Sequence, residues 1–173
     1  LEADFPAMVL LDALLAGGKG FRLLEKYPGP GGTPLDTAMK GLMTDGSTAW
    51  QASPYPYVYT FSASVPKEEG LQAAESAYFR LLEQASKREW TDAEKSMAIP
   101  QVRRGWARDL DEQGERIHQV AFFEIAGSWR ELLDLPERLR SLTNADLQRF
   151  ARERLRPDQA TVGWYVPEAP PPS

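Results

Sequence analysis

The sequence predicts an α+β fold, in which an antiparallel sheet carries helices packed on one face. A strand is predicted over residues 57–65, YVYTFSASV, because large apolar side chains alternate with small or hydroxylated ones at the period of a β-strand. A helix is predicted over residues 68–87, because its apolar side chains recur every three or four positions. Two T-x-x-[DE] capping boxes, at Thr91 and Thr143, mark the starts of further helices. The order of elements, a helix pair, two strands, several helices and a last strand, is that of an α+β layer.

The chain opens with a helix that we expect to be buried on several sides. Residues 5–16 place apolar side chains around most of the helix, and the two glycines that follow end it. Residues 21–27 are predicted to form a short second helix. Residues 28–34 are predicted to form an irregular loop, because they hold three glycines and three prolines. The first strand of the sheet is expected within residues 48–53, ahead of the strand at residues 57–65.

Prolines are predicted to divide the helices of the C-terminal half. Pro100 should kink or break the helix that begins at Thr91. Residues 110–126 are predicted to form the next helix, and residues 129–139 a short one that Pro136 interrupts.

The last elements are a helix and a strand. Residues 145–154 are predicted to be helical, and residues 160–166, ATVGWYV, to form a strand that a proline closes. Residues 1–167 are therefore expected to form one α+β lobe, followed by a proline-rich tail at residues 168–173.

The composition argues against several classes of protein. The chain has 173 residues, of which 42% are hydrophobic and 26% charged, as in one globular domain. A net charge of −5 argues against nucleic-acid binding, since phosphate contacts need clustered lysine and arginine. The chain has no cysteine, and its longest apolar run is too short to span a membrane. We expect a soluble segment of a longer protein, cytoplasmic or periplasmic.

The residues that carry chemistry form no catalytic constellation in the sequence. A zinc-binding helix needs a second histidine one turn from the first, and His118 is the single histidine of the chain. The serines lack a G-x-S-x-G elbow, and the glycines lack the G-K-[ST] ending of a phosphate-binding loop. We therefore predict no catalytic residue and no metal ligand in this segment.

Four aromatic residues around a proline turn allow two interpretations. They are Trp50, Tyr55, Tyr57 and Tyr59. Such a group can form a contact surface for a peptide or a partner lobe. It can also cover the sheet edge and the core beneath it. We favour the second interpretation.

Several blocks of sequence together carry a resemblance to a known family. They are LAGGKGFRL at residues 15–23, Gly-Leu at 41–42, the strand at 57–64, T-x-x-E at 91–94, LTNADLQRFARERLRP at 142–157 and the strand at 161–167. In this order and spacing they resemble the second, metal-free lobe of the pitrilysin and mitochondrial-processing-peptidase family of zinc metallopeptidases. The resemblance covers nearly the whole chain.

The resemblance implies one half of a clam-shell chamber that closes over unfolded peptide. The zinc and its H-x-x-E-H motif would lie in the other lobe or in a partner subunit, so no cofactor is expected in this segment. In many members the second lobe supplies an arginine and a tyrosine that hold the substrate carbonyl. The matching positions here are Thr37 and Thr44, neither of which offers a cationic or phenolic donor. The first strand of the lobe is expected just before Leu1.

The predicted function is therefore that of a non-catalytic lobe that encloses peptide in a bacterial-type zinc endopeptidase. Its expected partners are the catalytic lobe or a partner subunit of the same family, and unfolded peptide. The alternative is a catalytically dead homologue that acts as a scaffold or assembly subunit. An unrelated α+β enzyme is the third possibility.

Overall fold

The structure is a computed structural model, and it describes residues 3–17, 33–51, 58–111 and 113–166. These residues form two strands, seven α-helices and two short 3₁₀ turns. The elements are α1 (Phe5–Ala16), α2 (Pro34–Ala38), β1 (Asp45–Gln51), β2 (Val58–Ser64), α3 (Leu71–Ala85), α4 (Asp92–Asp111), α5 (Gln113–Ala126), α6 (Arg130–Ser141) and α7 (Asn144–Arg154). The predicted α+β class is confirmed, and the sheet in the described part is a two-stranded antiparallel one.

Helix α1 is the centre of the hydrophobic core. All of its residues are buried, and Phe5 and Leu10 expose no surface. A helix that is apolar all round is stable in water only when other elements surround it, and α2, α4, α6, α7 and β1 all contact α1. Gly17 ends the helix as predicted. Its φ of 71° is left-handed, and its N–H donates to the carbonyl of Ala13 at 3.0 Å.

Ion pairs tie the start of α1 to α7. Arg149 Nη1 donates to Asp4 Oδ1 at 3.0 Å, and Arg154 Nη2 lies 3.5 Å from Asp4 Oδ2. Asp4 is buried, so these guanidinium groups balance a carboxylate that is nearly out of water. The first and last helices are therefore held side by side.

Strands β1 and β2 form a hairpin that packs one face on the helices. The register pairs Asp45 with Ser64 at the open end. The alternation predicted for the second strand is seen in its burial, because Tyr59 and Phe61 pack against the core while the residues between and beside them are exposed. Strand β2 confirms the predicted strand, and β1 begins at Asp45, three residues before the predicted range 48–53.

The capping boxes begin helices where the sequence predicts them. Thr143 Oγ1 accepts the N–H of Asp146 at 3.2 Å, and the Asp146 carboxylate accepts the N–H of Thr143 at 2.9 Å. Thr91 and Glu94 form the same reciprocal pair at the start of α4. None of the helices in the described part of the chain is both long and apolar enough to cross a bilayer.

The predicted break at Pro100 and the predicted interruption at Pro136 are wrong, whereas a kink of α4 at Pro100 stays a prediction. Helix α4 continues through Pro100, and α6 continues through Pro136. A proline inside a helix costs about 3 kcal/mol, and burial of neighbouring side chains offsets that cost. Ala98 and Val102 are buried beside the first proline, and Leu135 and Leu139 are almost fully buried around the second.

Some predicted boundaries differ or fall outside the described residues. Within the helix predicted at residues 110–126, α4 extends to Asp111 and α5 begins at Gln113, and residue 112 between them lies outside the described residues. The predicted helix at residues 21–27 and the proline-rich tail at 168–173 lie outside the described residues. The extent of the lobe, residues 1–167, stays a prediction.

The predicted last strand is wrong. Residues 160–166 belong to no strand, and all of them are exposed. Trp164 is 52% exposed and Tyr165 89%. The physical reason is that β-propensity reflects fit against a neighbouring strand, and neither strand of the described part pairs with this segment. We call residues 160–166 the C-terminal segment.

Candidate functional site

A buried polar cluster lies where the hairpin meets α1 and α3. Asp12 is only 3% exposed, although it belongs to the otherwise apolar helix α1. The hydroxyl of Tyr59 on β2 donates to Asp12 Oδ1 at 2.8 Å. Thr48 on β1 is buried as well, beside Tyr59. A buried carboxylate needs such donors to offset the loss of water, so the hairpin is fixed to the core at this point.

The cluster holds its two tyrosines in the neutral form. Burial, and then the charge of Asp12, raises the pKa of Tyr59 well above its ordinary value. The same two causes, in the same order, raise the pKa of Tyr78 on α3. The ring of Tyr78 also stacks on Phe61, with ring centroids 4.1 Å apart. The arrangement therefore supplies fixed donors and aromatic packing, and it orients the hairpin rather than providing a nucleophile.

Tyr59 was one of the four aromatic residues with two interpretations. Its ring lies against the core and its hydroxyl binds Asp12, so the core interpretation is right for this residue. Tyr55 and Tyr57 lie outside the described residues.

The sequence did not predict that Asp12 fixes the hairpin to the core. Its signal in the sequence is a single charged residue inside the apolar run 7–16, but nothing there identifies Tyr59 as its partner.

The two positions that the resemblance assigns to substrate contact lie on either side of the turn from α2 to β1. Thr37 is exposed on α2, and Thr44 is exposed just before β1. Both the N–H and the hydroxyl of Thr44 donate to the carbonyl of Ser64, at 2.8 and 3.2 Å. Thr44 therefore closes the open end of the hairpin. The replacement of the family's arginine and tyrosine by these two threonines stays a prediction.

The turn between these threonines needs a glycine. Gly41, from the Gly-Leu pair of the resemblance, has a φ of 77°, which is strained for any residue with a Cβ.

The described residues do not fit a zinc ion. No group of three histidine, cysteine, aspartate or glutamate side chains among them is placed to bind a metal. His118 lies exposed on α5.

Solved structures of proteases share this fold. The inactive peptidase domain of a candidate zinc protease from Bordetella parapertussis matches 99% of this chain and 87% of its own, with a TM-score of 0.79 and 20% identity. The chain has the fold of a zinc-protease peptidase domain. A candidate zinc protease from Bordetella pertussis Tohama I matches 96% of this chain and 87% of its own, with a TM-score of 0.76 and 19% identity.

A longer protein carries the same fold in one part of its chain. A protease from Helicobacter pylori matches 91% of this chain with a TM-score of 0.69 and 21% identity, and the match spans 36% of the Helicobacter chain. No protein-family model matches the sequence, and no curated protein does. The lobe predicted from the resemblance is therefore confirmed as a fold, and a fold alone does not establish an activity.

Proposed function

We propose that this chain is a non-catalytic lobe of a zinc-dependent endopeptidase, which helps to enclose peptide and packs on a catalytic lobe or partner subunit. The observation that carries the proposal is the fold match over 99% of the chain to a peptidase domain that is described as inactive. Zinc and the residues that bind it would belong to the catalytic lobe of the parent protein. Thr37 and Thr44 would lie near the peptide without polarising it.

The exposed side chains of the C-terminal segment support the proposal that this lobe packs on a partner. It exposes Val162, Trp164, Tyr165 and Val166, all of which favour strands. An exposed strand-forming segment offers unpaired backbone groups to another strand. In the parent protein or its complex, we expect a neighbouring strand to pair with this segment and to cover those side chains.

The proposal is tested on the 173-residue chain and on the longer protein that contains it. We expect the chain alone to hold no stoichiometric zinc by elemental analysis and to cleave no fluorescence-quenched peptide. We expect the longer protein to cleave such peptides, and removal of this lobe to lower kcat/KM about 100-fold through loss of substrate positioning. One tightly held zinc per isolated chain, or cleavage by the chain alone, would contradict the proposal.

A scaffold or assembly subunit without activity is the second candidate, because the Bordetella parapertussis domain is described as inactive. Both candidates share the fold and differ in the rest of the parent protein. A parent protein and partner that both lack H-x-x-E-H, with no peptidase activity as a complex, would favour the scaffold. An H-x-x-E-H motif with zinc-dependent activity would favour the endopeptidase lobe.

A further inference from the structure

A cleft lies between the C-terminal half of α3 and the end of α7. Its volume is about 570 Å³, within the range of small-ligand sites. Its apolar lining includes the buried or half-buried side chains of Phe79, Leu82, Ala151 and Leu155. Three exposed arginines also line it, namely Arg80 from α3, Arg152 from the last turn of α7 and Arg156 from the residues just after α7. We call it the α3–α7 cleft.

Nearby charges neutralise part of this cleft. Arg156 Nε donates to Asp158 Oδ1 at 2.9 Å, so this arginine already has a carboxylate partner. Glu83 lines the cleft, and Lys87 Nζ donates to it at 2.6 Å. That hydrogen bond lowers the pKa of Glu83, which therefore stays ionised and paired with the lysine.

The other two arginines keep an unbalanced charge. Among the described residues, neither Arg80 nor Arg152 has a carboxylate partner. Arg152 is nevertheless held in place, because its Nη1 donates to the carbonyl of Ser86 at 3.2 Å. Ser86 is itself buried at the end of α3. The cleft is thus locally positive on a chain whose net charge is −5.

We propose that the α3–α7 cleft binds the carboxyl terminus of a peptide whose last side chain is apolar. The apolar side chain would contact Phe79 and Leu155, and the terminal carboxylate would accept hydrogen bonds from Arg80 and Arg152. Guanidinium groups match the two oxygens of a carboxylate. Arg152 is already oriented by Ser86, so it loses little freedom when the carboxylate binds.

The lining favours a peptide over other anions. Ser76 and Glu83 interrupt the apolar wall, which suits a peptide with hydrogen-bonding backbone groups better than a long alkyl chain. Two unbalanced cations suit one carboxylate better than the many phosphates of a nucleic acid. This proposal stands independently of whether the parent protein cleaves peptides.

A direct test uses the full 173-residue chain and a fluorescein-labelled hexapeptide ending in Leu-Phe. The free acid and the C-terminal amide of this peptide are titrated by fluorescence polarisation. We expect the acid to bind about tenfold more tightly, because the amide lacks the charged acceptor. Equal affinities, or no binding of the acid, would overturn the proposal. Decanoate is then added as a competitor. Displacement of the peptide by decanoate at equal concentration would reassign the cleft to fatty acids.

Paired variants separate this site from the overall charge of the protein. Arg80→Gln should weaken binding of the acid about fivefold to tenfold and leave binding of the amide unchanged. Arg103→Gln is the control, because Arg103 is exposed on α4 and does not line the cleft. Circular dichroism and the Tm are used to check that both variants fold. If both variants weakened binding of the acid equally, the arginines would act only through long-range attraction to the peptide, and the proposed site would be wrong.

Discussion

Strand β2 and the C-terminal segment carry similar sequences and have opposite structures. Both are rich in aromatic and β-branched residues, and both were predicted as strands. Strand β2 pairs with β1 and packs its large side chains on the core. The C-terminal segment pairs with neither strand of the described part and exposes its side chains. The same strand-forming pattern therefore leads to a strand only where a neighbour supplies backbone partners and a surface to pack on.

The contacts of β2 show what the C-terminal segment lacks. Tyr59 reaches the buried carboxylate of Asp12, and Phe61 stacks on Tyr78. These contacts remove aromatic surface from water and give the tyrosine hydroxyl a fixed acceptor. In the C-terminal segment, by contrast, Tyr165 is 89% exposed.

The largest difference in the free energy of unfolding is expected when one tyrosine hydroxyl is removed from each of the two regions. Tyr59→Phe removes a hydrogen bond to a buried carboxylate and should lower the free energy of unfolding by about 1.5–3 kcal/mol. Tyr165→Phe is the matched control and should change it by less than about 0.5 kcal/mol. Urea denaturation measures both. Equal losses would mean that the two regions are packed alike.

The stability that Tyr59 contributes should also depend on pH. The pKa of Tyr59 is raised, so the folded chain keeps this proton where the unfolded chain loses it. The stability due to Tyr59 is therefore fully present below about pH 10 and is lost as the pH rises above that value. The difference between the unmodified chain and Tyr59→Phe should shrink in alkaline urea titrations.

An intermediate effect is expected at the start of α7, which leads to the C-terminal segment. Thr143→Ala removes a capping box and should lower the free energy of unfolding by about 1 kcal/mol. Hydrogen bonds from Thr143 hold the pKa of Asp146 below its usual value, so this stability is present above about pH 4 and is lost as the pH falls further. Thr161→Ala in the C-terminal segment is the control. In urea titrations it should leave the free energy of unfolding unchanged at both pH 7 and pH 3.

The smallest effect is expected inside the C-terminal segment. Tyr165→Ser should change the free energy of unfolding of this chain by less than about 0.5 kcal/mol, because Tyr165 is already 89% exposed. Hydrogen exchange of the amides of residues 160–166 should be fast, while those of β2 are protected. A loss above about 1 kcal/mol, or slow exchange, would show that the segment is packed in solution.

The parts of the fold that sequence could predict are local ones. The caps at Thr91 and Thr143 and the stop at Gly17 depend on residues within one turn of each other. The failures at Pro100 and Pro136 have a different origin, because burial of more distant partners decides whether the helix continues.

The polar cluster and the cleft could not be predicted from the sequence, because the residues that form them lie far apart along the chain. Asp12 and Tyr59 are 47 positions apart, and Ser86 and Arg152 are 66 apart. No spacing rule joins residues at such distances. The family resemblance predicted the fold, and it identified Thr37 and Thr44 as the positions of the family's arginine and tyrosine, but it did not identify either of these contacts.

The contact between Asp4 and Arg149 joins residues 145 positions apart, and it has a consequence for synthesis on the ribosome. The apolar helix α1 emerges before α4, α6 and α7, which surround it. Protein is made at about 5–20 residues per second, so α1 waits several seconds for its covering helices. During that interval the apolar surface of α1 is exposed to water, so it is open to aggregation and to binding by a chaperone.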